Sequence, residues 1–274
     1  MIYYYINGKF KLSADAKISF DDAGFLYGDG LFETLRFDDC SLFSPEKHLS
    51  RLSKGLDIIG LKIEQSTSDL LDLLNKVIHK NKLDSGIVRL MITRGISNSQ
   101  SSNFNVPRIY ISIKPFYNIP NKPVKVIYLD ETKYPIIRFT PAIKSMNYIG
   151  NLLSKRECEK QGGYEPIFYN HKKIITECAI RNIFYIKDNI LLTPSTDLGI
   201  LSGVMRDTII DIAKSLGIKV IEKHIDYNNI HNMNESFISS TGIGLLPCYW
   251  EGWKSDYKIT KLIKKELFKR IKNS

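Results

Sequence analysis

The chain has 274 residues, of which 43% are hydrophobic and 25% charged, as expected of a globular protein with one large or two moderate domains. Its net charge of +10 suggests a nucleic-acid partner. Much of this charge lies in residues 254–274, where seven lysines and Arg270 outnumber Asp256 and Glu266. The apolar spacing of the same segment predicts an amphipathic helix with a solvated basic face, which explains the charge without such a partner. No apolar run is long enough to span a bilayer, no signal peptide is predicted, and four scattered cysteines indicate reduced thiols of a cytoplasmic protein without a metal or disulfide role.

The first part of the chain mixes strands with two helices. In chain order, the patterns predict a strand at 3–6 closed by an Asn7-Gly8 turn, a loop at 24–30, a strand at 31–37, helices at 44–56 and 66–79, and strands at 86–93 and 108–114. Alternation along the strand at 31–37 places Phe32, Thr34 and Arg36 on one face. The Ser- and Asn-rich segment 95–105 predicts a mobile surface loop.

Prolines at 115, 120 and 123 predict a linker over 115–123, between a small N-terminal α/β domain, 1–114, and a larger C-terminal domain, 124–274. In the larger domain we expect strands near 124–129, 166–169, 173–177, 182–186 and 190–193, an Asp188-Asn189 hairpin turn, a helix at 147–160, and a helix at 203–216 ended by Gly217. Strands mixed with a few helices in both parts predict two α+β domains.

Lys144 and Glu177 are the first candidates for chemistry. Lys144 lies between an extended segment and a helix, where partial burial would lower the pKa of its amine and favour a Schiff base. A solvated surface lysine is the alternative. Glu177 lies in a strand between hydrophobic flanks, and its carboxylate could keep a pyridine nitrogen protonated. The alternative is a solvated carboxylate or an ion pair with Arg181.

A third candidate is an anion site at the start of the helix at 203–216. The loop Leu201-Ser202-Gly203-Val204-Met205 leads into helical amides that have no intrahelical partner, and such amides suit a phosphate. Thr241 and Arg51 could add a hydroxyl and a charge-assisted contact, whereas His48 is interpreted as a packed helix residue. An amine, a carboxylate and a phosphate site together match pyridoxal 5'-phosphate (PLP). The five histidines form no metal-ligand spacing, so no metal is predicted.

Over essentially its whole length, the chain resembles the class IV aminotransferase family, the fold-type IV PLP enzymes. The resemblance is carried by the segments 24–36, 144–148, 176–177 with 181–184, and 193–203. It implies a two-domain α+β fold with the cofactor between the domains, PLP bound mainly by the larger domain, and a homodimer whose partner contributes to each active site. It also implies that Lys144 is catalytic and carries PLP as a Schiff base. Glu177 would bind the pyridine nitrogen, Tyr148 would bind the phenolic oxygen, and Leu201 would pack on the ring. The phosphate would be held by Arg51, Val204, Met205 and Thr241, and Asn182 would belong to the cofactor site.

Within that family, the motifs resemble 4-amino-4-deoxychorismate lyases most closely. Asn98-Ser99-Gln100 replaces the Arg-x-His that D-amino acid aminotransferases carry, and Arg89 alone remains of the Tyr-x-Arg pair of branched-chain aminotransferases. The expected activity is therefore the formation of p-aminobenzoate and pyruvate, a step of folate synthesis. Arg36 and Arg89 would bind the two substrate carboxylates, with Thr34 beside them, unless both arginines form structural salt bridges.

Two other functions are alternatives to the lyase. An aminotransferase acting on branched-chain L-amino acids or D-amino acids, with a 2-oxo acid acceptor, would share the same site and the same first proton transfer. A non-enzymatic basic protein would instead bind nucleic acid or another polyanion, in strong dependence on salt. The spacing of the PLP-binding residues favours an enzyme with a small amino-acid-like substrate, without a nucleic-acid or membrane partner.

Overall fold

The computed structural model describes residues 1–96, 106–116 and 118–272. The described chain divides into two compact units. The first unit contains the residues up to 116 together with Ile143–Asn147, and the second contains Asn118–Ala142 and the residues from Tyr148 onward. Both units mix helices with a β-sheet, which confirms the predicted α+β class. The predicted boundary at 115–123 stays a prediction.

The first unit is built on a six-stranded antiparallel sheet in the described residues, with the strand order β2-β1-β6-β5-β3-β4. In chain order its elements are β1 Tyr3–Ile6, β2 Lys9–Leu12, α1 Ala23–Tyr27, β3 Gly30–Asp38, β4 Ser41–Leu42, α2 Pro45–Ile58, α3 Thr67–Asn81, β5 Gly86–Ile96 and β6 Val106–Lys114. The predicted Asn7-Gly8 turn joins β1 to β2, and both residues have positive φ, as tight hairpins require.

One face of this sheet packs against α2 and α3. Alternation puts Leu31, Leu35 and Phe37 of β3 on that face, where they join Leu49 and Leu74 of the two helices in one buried core. The helices begin where the sequence predicts. Pro45 opens α2, and a reciprocal Ser66–Asp69 capping box opens α3.

The second unit contains a nine-stranded sheet in the described residues, with the order β12-β11-β10-β14-β15-β7-β8-β9-β13. Its elements are β7 Val124–Asp130, α4 Ile149–Lys160, β8 Glu165–Tyr169, β9 Ile174–Cys178, β10 Asn182–Lys187, β11 Ile190–Pro194, α5 Val204–Ser215, β12 Val220–Lys223, β13 Ile225–Asp226, β14 Glu235–Ser240, β15 Gly244–Tyr249 and α6 Lys258–Lys272. The pairs β11–β12, β15–β7 and β7–β8 are parallel, and the remaining pairs are antiparallel.

The core of the second unit is rich in aromatic side chains. Trp250 and Trp253 stack with their ring centroids 3.9 Å apart and their planes 5° from parallel. Trp253 Nε1 donates to the carbonyl of Met233 at 3.0 Å, which satisfies its polar atom. All four cysteines are thiols. Cys158, Cys178 and Cys248 are buried in this unit, and Cys40 is half-buried in the first.

Two predictions need correction, and a third concerns residues that lie largely outside those the structure describes. The predicted loop at 24–30 is wrong, because Asp22 caps the short helix α1 through the Gly24 amide and Gly28, at φ 68°, ends it. The C-terminal helix is confirmed as α6, but Leu262, one of the residues in the apolar spacing that predicts its buried face, is 48% exposed. Of the predicted loop at 95–105, residues 95 and 96 belong to β5, and the rest lies outside the described residues.

Candidate functional site

The segment around Lys144 extends the sheet of the first unit. The Phe32 amide donates to the Lys144 carbonyl at 3.0 Å, and the Met146 amide donates to the Gly30 carbonyl at 3.0 Å. A bridge between Leu31 and Ser145 completes this short antiparallel pairing at the edge of β3. The backbone at Lys144 and Met146 is therefore fixed to β3 by hydrogen bonds.

Lys144 faces an aromatic ring that it shares with a second cation. Its Nζ lies 4.5 Å from the centroid of the Phe32 ring, and the guanidinium carbon of Arg89 lies 4.7 Å from the same centroid. Thr34 pairs with Arg89 across β3 and β5, so both residues are on the sheet face that carries Phe32. An amine that can act as base or nucleophile and a guanidinium that can hold a carboxylate thus lie on one face.

Arg36 is on the same strand face but is already engaged. Its Nη2 donates to Asp38 at 3.0 Å, its Nε donates to the other oxygen of that carboxylate, and its guanidinium carbon lies 4.5 Å from the centroid of Phe116. A substrate carboxylate at Arg36 would compete with Asp38 for the same donors.

Arg51 takes part in a buried ionic cluster on the helix side of β3. Its Nε and Nη2 each donate at 2.7 Å to the two oxygens of Glu33, and His48 Nδ1 lies 2.7 Å from Glu33. Burial alone would raise the pKa of Glu33, but Arg51 and His48 outweigh it and lower that pKa to about 2. Burial lowers the pKa of His48, which agrees with the prediction of a packed residue. Glu33 therefore orients the cation predicted to bind phosphate.

In the second unit, Glu177 accepts hydrogen bonds from two directions. Arg138 Nη1 donates to Oε1, and the Leu201 amide donates to Oε2 at 3.4 Å. The predicted alternative partner, Arg181, forms a buried ion pair with Glu165. The sequence did not reveal the role of Arg138, because this residue is 39 positions from Glu177 and no local pattern joins the two.

The loop before α5 places Leu201 near Glu177 and brings Gly203 against Asn182. A Cβ on Gly203 would lie 2.5 Å from Asn182 Oδ1, so a side chain at this position would displace the Asn182 amide. Asn182 in turn donates to the Ser239 carbonyl at 3.1 Å. Val204 and Met205 form the first turn of α5, whose N-cap residue, Gly203, has no side chain to accept from the first amides. Their amides therefore suit an anion.

The remaining predicted cofactor residues also belong to the second unit. Tyr148 is the N-cap residue of α4, and Thr241 follows β14 directly. The structure thus groups Arg51, Lys144, Thr34, Arg36 and Arg89 in the first unit, and groups Tyr148, Glu177, Asn182, Leu201, Val204, Met205 and Thr241 in the second.

The donor set fits PLP chemically. The carboxylate of Glu177 matches a protonated ring nitrogen, the first amides of α5 match a phosphate, and the amine of Lys144 matches an aldehyde carbon. Among the described residues, no group of His, Cys, Asp and Glu has the arrangement of a metal site. None of the described helices is long and apolar enough to cross a membrane.

Comparisons with known proteins agree with this chemistry. The sequence model of the family described as amino-transferase class IV matches residues 30–249. The D-alanine aminotransferase of Listeria monocytogenes is 31% identical over 243 residues, which cover 85% of this chain and 82% of that protein.

Two solved structures share the fold. The branched-chain amino acid aminotransferase of Escherichia coli superposes with a TM-score of 0.90 at 26% identity, over 98% of this chain and 94% of that one. A Legionella pneumophila protein, provisionally named 4-amino-4-deoxychorismate lyase, superposes with a TM-score of 0.85 at 23% identity, over 94% of this chain and 97% of that one. At that identity the second likeness concerns the fold alone.

Proposed function

Because this chain belongs to the class IV aminotransferase family, whose enzymes depend on PLP, we propose that it moves the amino group of an amino acid to a 2-oxo acid. Family membership confirms the predicted family, the PLP cofactor and the enzyme class. The amino-acid substrate is our inference from relatives such as the D-alanine and branched-chain enzymes, and from the Lys144–Phe32–Arg89 cluster.

The chain's residues would divide the work as follows. Lys144 would bind the cofactor covalently and, once displaced by substrate, its Nζ would take the proton from the substrate α-carbon. Glu177 would keep the ring nitrogen protonated, and Arg51, Thr241 and the first amides of α5 would hold the phosphate. PLP, when bound, supplies the electron sink for this chemistry. Arg89 would hold the substrate carboxylate on the sheet face that carries Phe32.

A single observation favours an aminotransferase over the lyase, namely the engagement of Arg36 with Asp38. The lyase substrate carries two carboxylates, and the sequence-based hypothesis assigned one to Arg36 and one to Arg89. Two N–H groups of Arg36 already donate to Asp38, so the second carboxylate of the lyase substrate would have to displace Asp38 from Arg36.

The lyase remains the second candidate because of the motifs around the site. Phe32-Glu33-Thr34, Thr176-Glu177 and Gly199-Ile200-Leu201 match the pattern that led to this prediction. In a lyase, the same Lys144 proton transfer would be followed by loss of the enolpyruvyl group and formation of p-aminobenzoate, which would place the protein in folate synthesis.

One experiment separates the two candidates. The PLP-loaded protein would be mixed with L- or D-amino acids, and separately with 4-amino-4-deoxychorismate, with Lys144→Ala as the control. We expect the amino acids to convert the cofactor to pyridoxamine phosphate, with 2-oxo acid formed in step, and the control to be inert. Rapid release of fluorescent p-aminobenzoate, without amino transfer, would establish the lyase instead.

We also propose that the protein is a cytoplasmic homodimer. Phe20, Phe25 and Tyr27 of the first unit are 74%, 63% and 73% exposed, and large apolar side chains grouped in one short segment are typical of an interface. The family resemblance implies that a second copy of the chain covers these exposed side chains. Four free thiols support a reducing compartment.

A further inference from the structure

Arg138 lies between two carboxylates in the second unit. Its Nη1 donates to Glu177, and its Nη2 donates to Glu131 Oε2 at 2.7 Å. The Thr176 hydroxyl donates to the same Glu131 oxygen at 2.8 Å. Glu131 directly follows β7, whereas Thr176 and Glu177 are in β9, so residues far apart in the chain meet here.

The charge balance of this triad differs from that of an isolated ion pair. A guanidinium and one carboxylate sum to zero, and such a pair attracts a further cation weakly. Glu131 adds a second negative charge, so the three side chains together carry −1. All three are largely buried, with side-chain exposures of 17% to 22%, so solvent screens these charges less than at an open surface.

We propose that Glu131 is a positioning residue that acts on Glu177 through Arg138. By sharing the guanidinium, Glu131 leaves on Glu177 the negative charge that a protonated ring nitrogen needs. Without Glu131, Arg138 would neutralise Glu177, and the preference for a protonated ring would fall. This inference rests on the proposed function, because it assigns the ring nitrogen of PLP to Glu177.

Two neighbours of Glu177 in the sequence, Cys178 and Arg181, leave this balance unchanged. Burial raises the pKa of Cys178 well above its usual value, so its thiol stays neutral. Arg181 and Glu165 form a buried ion pair in which the two opposite charges cancel. The pKa of Arg138 is raised by Glu177 and Glu131, which outweigh its burial, so the guanidinium stays charged. Glu131 is therefore the charge to change.

The test compares PLP with deazapyridoxal 5'-phosphate, an analogue that has carbon in place of the ring nitrogen. The dissociation constants of both cofactors would be measured for the wild-type protein and for Glu131→Gln, which keeps the size of the side chain and removes its charge. We expect Glu131→Gln to reduce the preference for PLP over the analogue by roughly tenfold. Glu251→Gln, which removes a 92% exposed carboxylate of the same unit, is the matched control and should leave the ratio unchanged.

A second readout follows the absorbance of the bound cofactor against pH. A protonated ring withdraws electrons and lowers the proton affinity of the nitrogen that links the cofactor to Lys144. In Glu131→Gln, this nitrogen should therefore keep its proton to higher pH, by about one pH unit. Glu131→Asp, which retains the charge, should restore the wild-type midpoint.

Two results would overturn the inference. An equal loss of affinity for both cofactors in Glu131→Gln would mean that Glu131 only supports the local fold, and an unchanged ratio would mean that its charge does not reach Glu177. Arg138→Gln tests the same balance if Glu131→Gln does not fold, because it should raise the preference for PLP. If wild-type protein does not bind PLP through Lys144, the proposed function itself fails, and this is seen before any variant is compared.

Discussion

Glu33 is a fully buried carboxylate that is held ionised by two neighbours. Arg51 binds both of its oxygens, and His48 Nδ1 donates to one of them because the ionised carboxylate can only accept. A buried charge without partners would be strongly unfavourable, so the three side chains stabilise the first unit only as a set. The sequence singled out Arg51 and His48 separately, but it could not reveal that they share Glu33, because strand and helix residues meet only in the folded sheet.

We expect this cluster to make stability depend on pH. The pKa of Glu33 falls from 4.5 to about 2 on folding, so its contribution is present above pH 4.5 and is lost as the pH falls toward 2. That contribution is on the order of 3 kcal/mol. Burial lowers the pKa of His48 below 6.5, so protonation of the unfolded chain further reduces stability below that pH.

Urea unfolding of wild type and Glu33→Gln between pH 7 and pH 3 would measure the effect. The free energies of unfolding should differ most at pH 7 and converge as the pH falls below 4.5. Glu64→Gln, at an exposed position, is the control and should follow wild type throughout. A constant difference between wild type and Glu33→Gln would contradict the assigned pKa.

At the scale of elements, the segment carrying Lys144 depends on its pairing with β3. We expect Met146→Pro to remove the hydrogen bond to the Gly30 carbonyl and to destabilise the first unit by about 1–3 kcal/mol. Because Lys144 precedes this position by two residues, the fraction of protein that binds PLP covalently should also fall. Met146→Leu conserves volume and the amide, so it should retain both properties. Full cofactor binding in the proline variant would show that the pairing does not position Lys144.

The start of α3 offers a second prediction for a single element. Ser66→Ala removes the side chain that accepts from the Asp69 amide, and we expect a loss of about 1 kcal/mol in the free energy of unfolding. Ser68→Ala, two residues later on the exposed side of the same helix, should have a much smaller effect. Equal losses in denaturant titrations of the two variants would argue against the capping box.

Local patterns predicted the long elements but not their partners. Pro45 and Ser66 indicate helix starts, and the apolar spacing after them gives the helices that the structure shows. By contrast, the glycines at 24 and 28 favour a loop, whereas the structure has the five-residue helix α1, which contains Gly24, ends at Gly28 and depends on the Asp22 cap. Pairing between segments distant in sequence, as at the edge of β3, has no local signal.

For the molecule as a whole, the family and the cofactor could be predicted because their motifs are local. Lys144 and the loop before α5 are short sequence features that a single chain displays. The Glu131–Arg138–Glu177 triad was not predicted, since it joins three segments whose spacing carries no pattern. Substrate choice was also left open, because it depends on which cations remain available once side chains such as Arg36 have bound their neighbours.

The proposed homodimer leads to a prediction at this scale. We expect light scattering after size-exclusion chromatography to give twice the 31.5 kDa mass of one chain. Phe25→Glu places a charge in the exposed apolar group and should shift the protein toward the single-chain mass. Val106→Glu, at another exposed apolar residue of the first unit, is the comparison and should remain a dimer. A wild-type monomer would contradict the proposal.

The stacked tryptophans of the second unit and Cys40 of the first unit allow a separate optical signal for each unit. Trp250 and Trp253 are the only two tryptophans of the chain, and both are in the second unit, so intrinsic indole emission reports the unfolding of that unit alone. Cys40, the one thiol that is not fully buried, is in the first unit and can accept a single dye. One denaturant titration with both signals would therefore reveal whether the two units lose their structure together or in sequence.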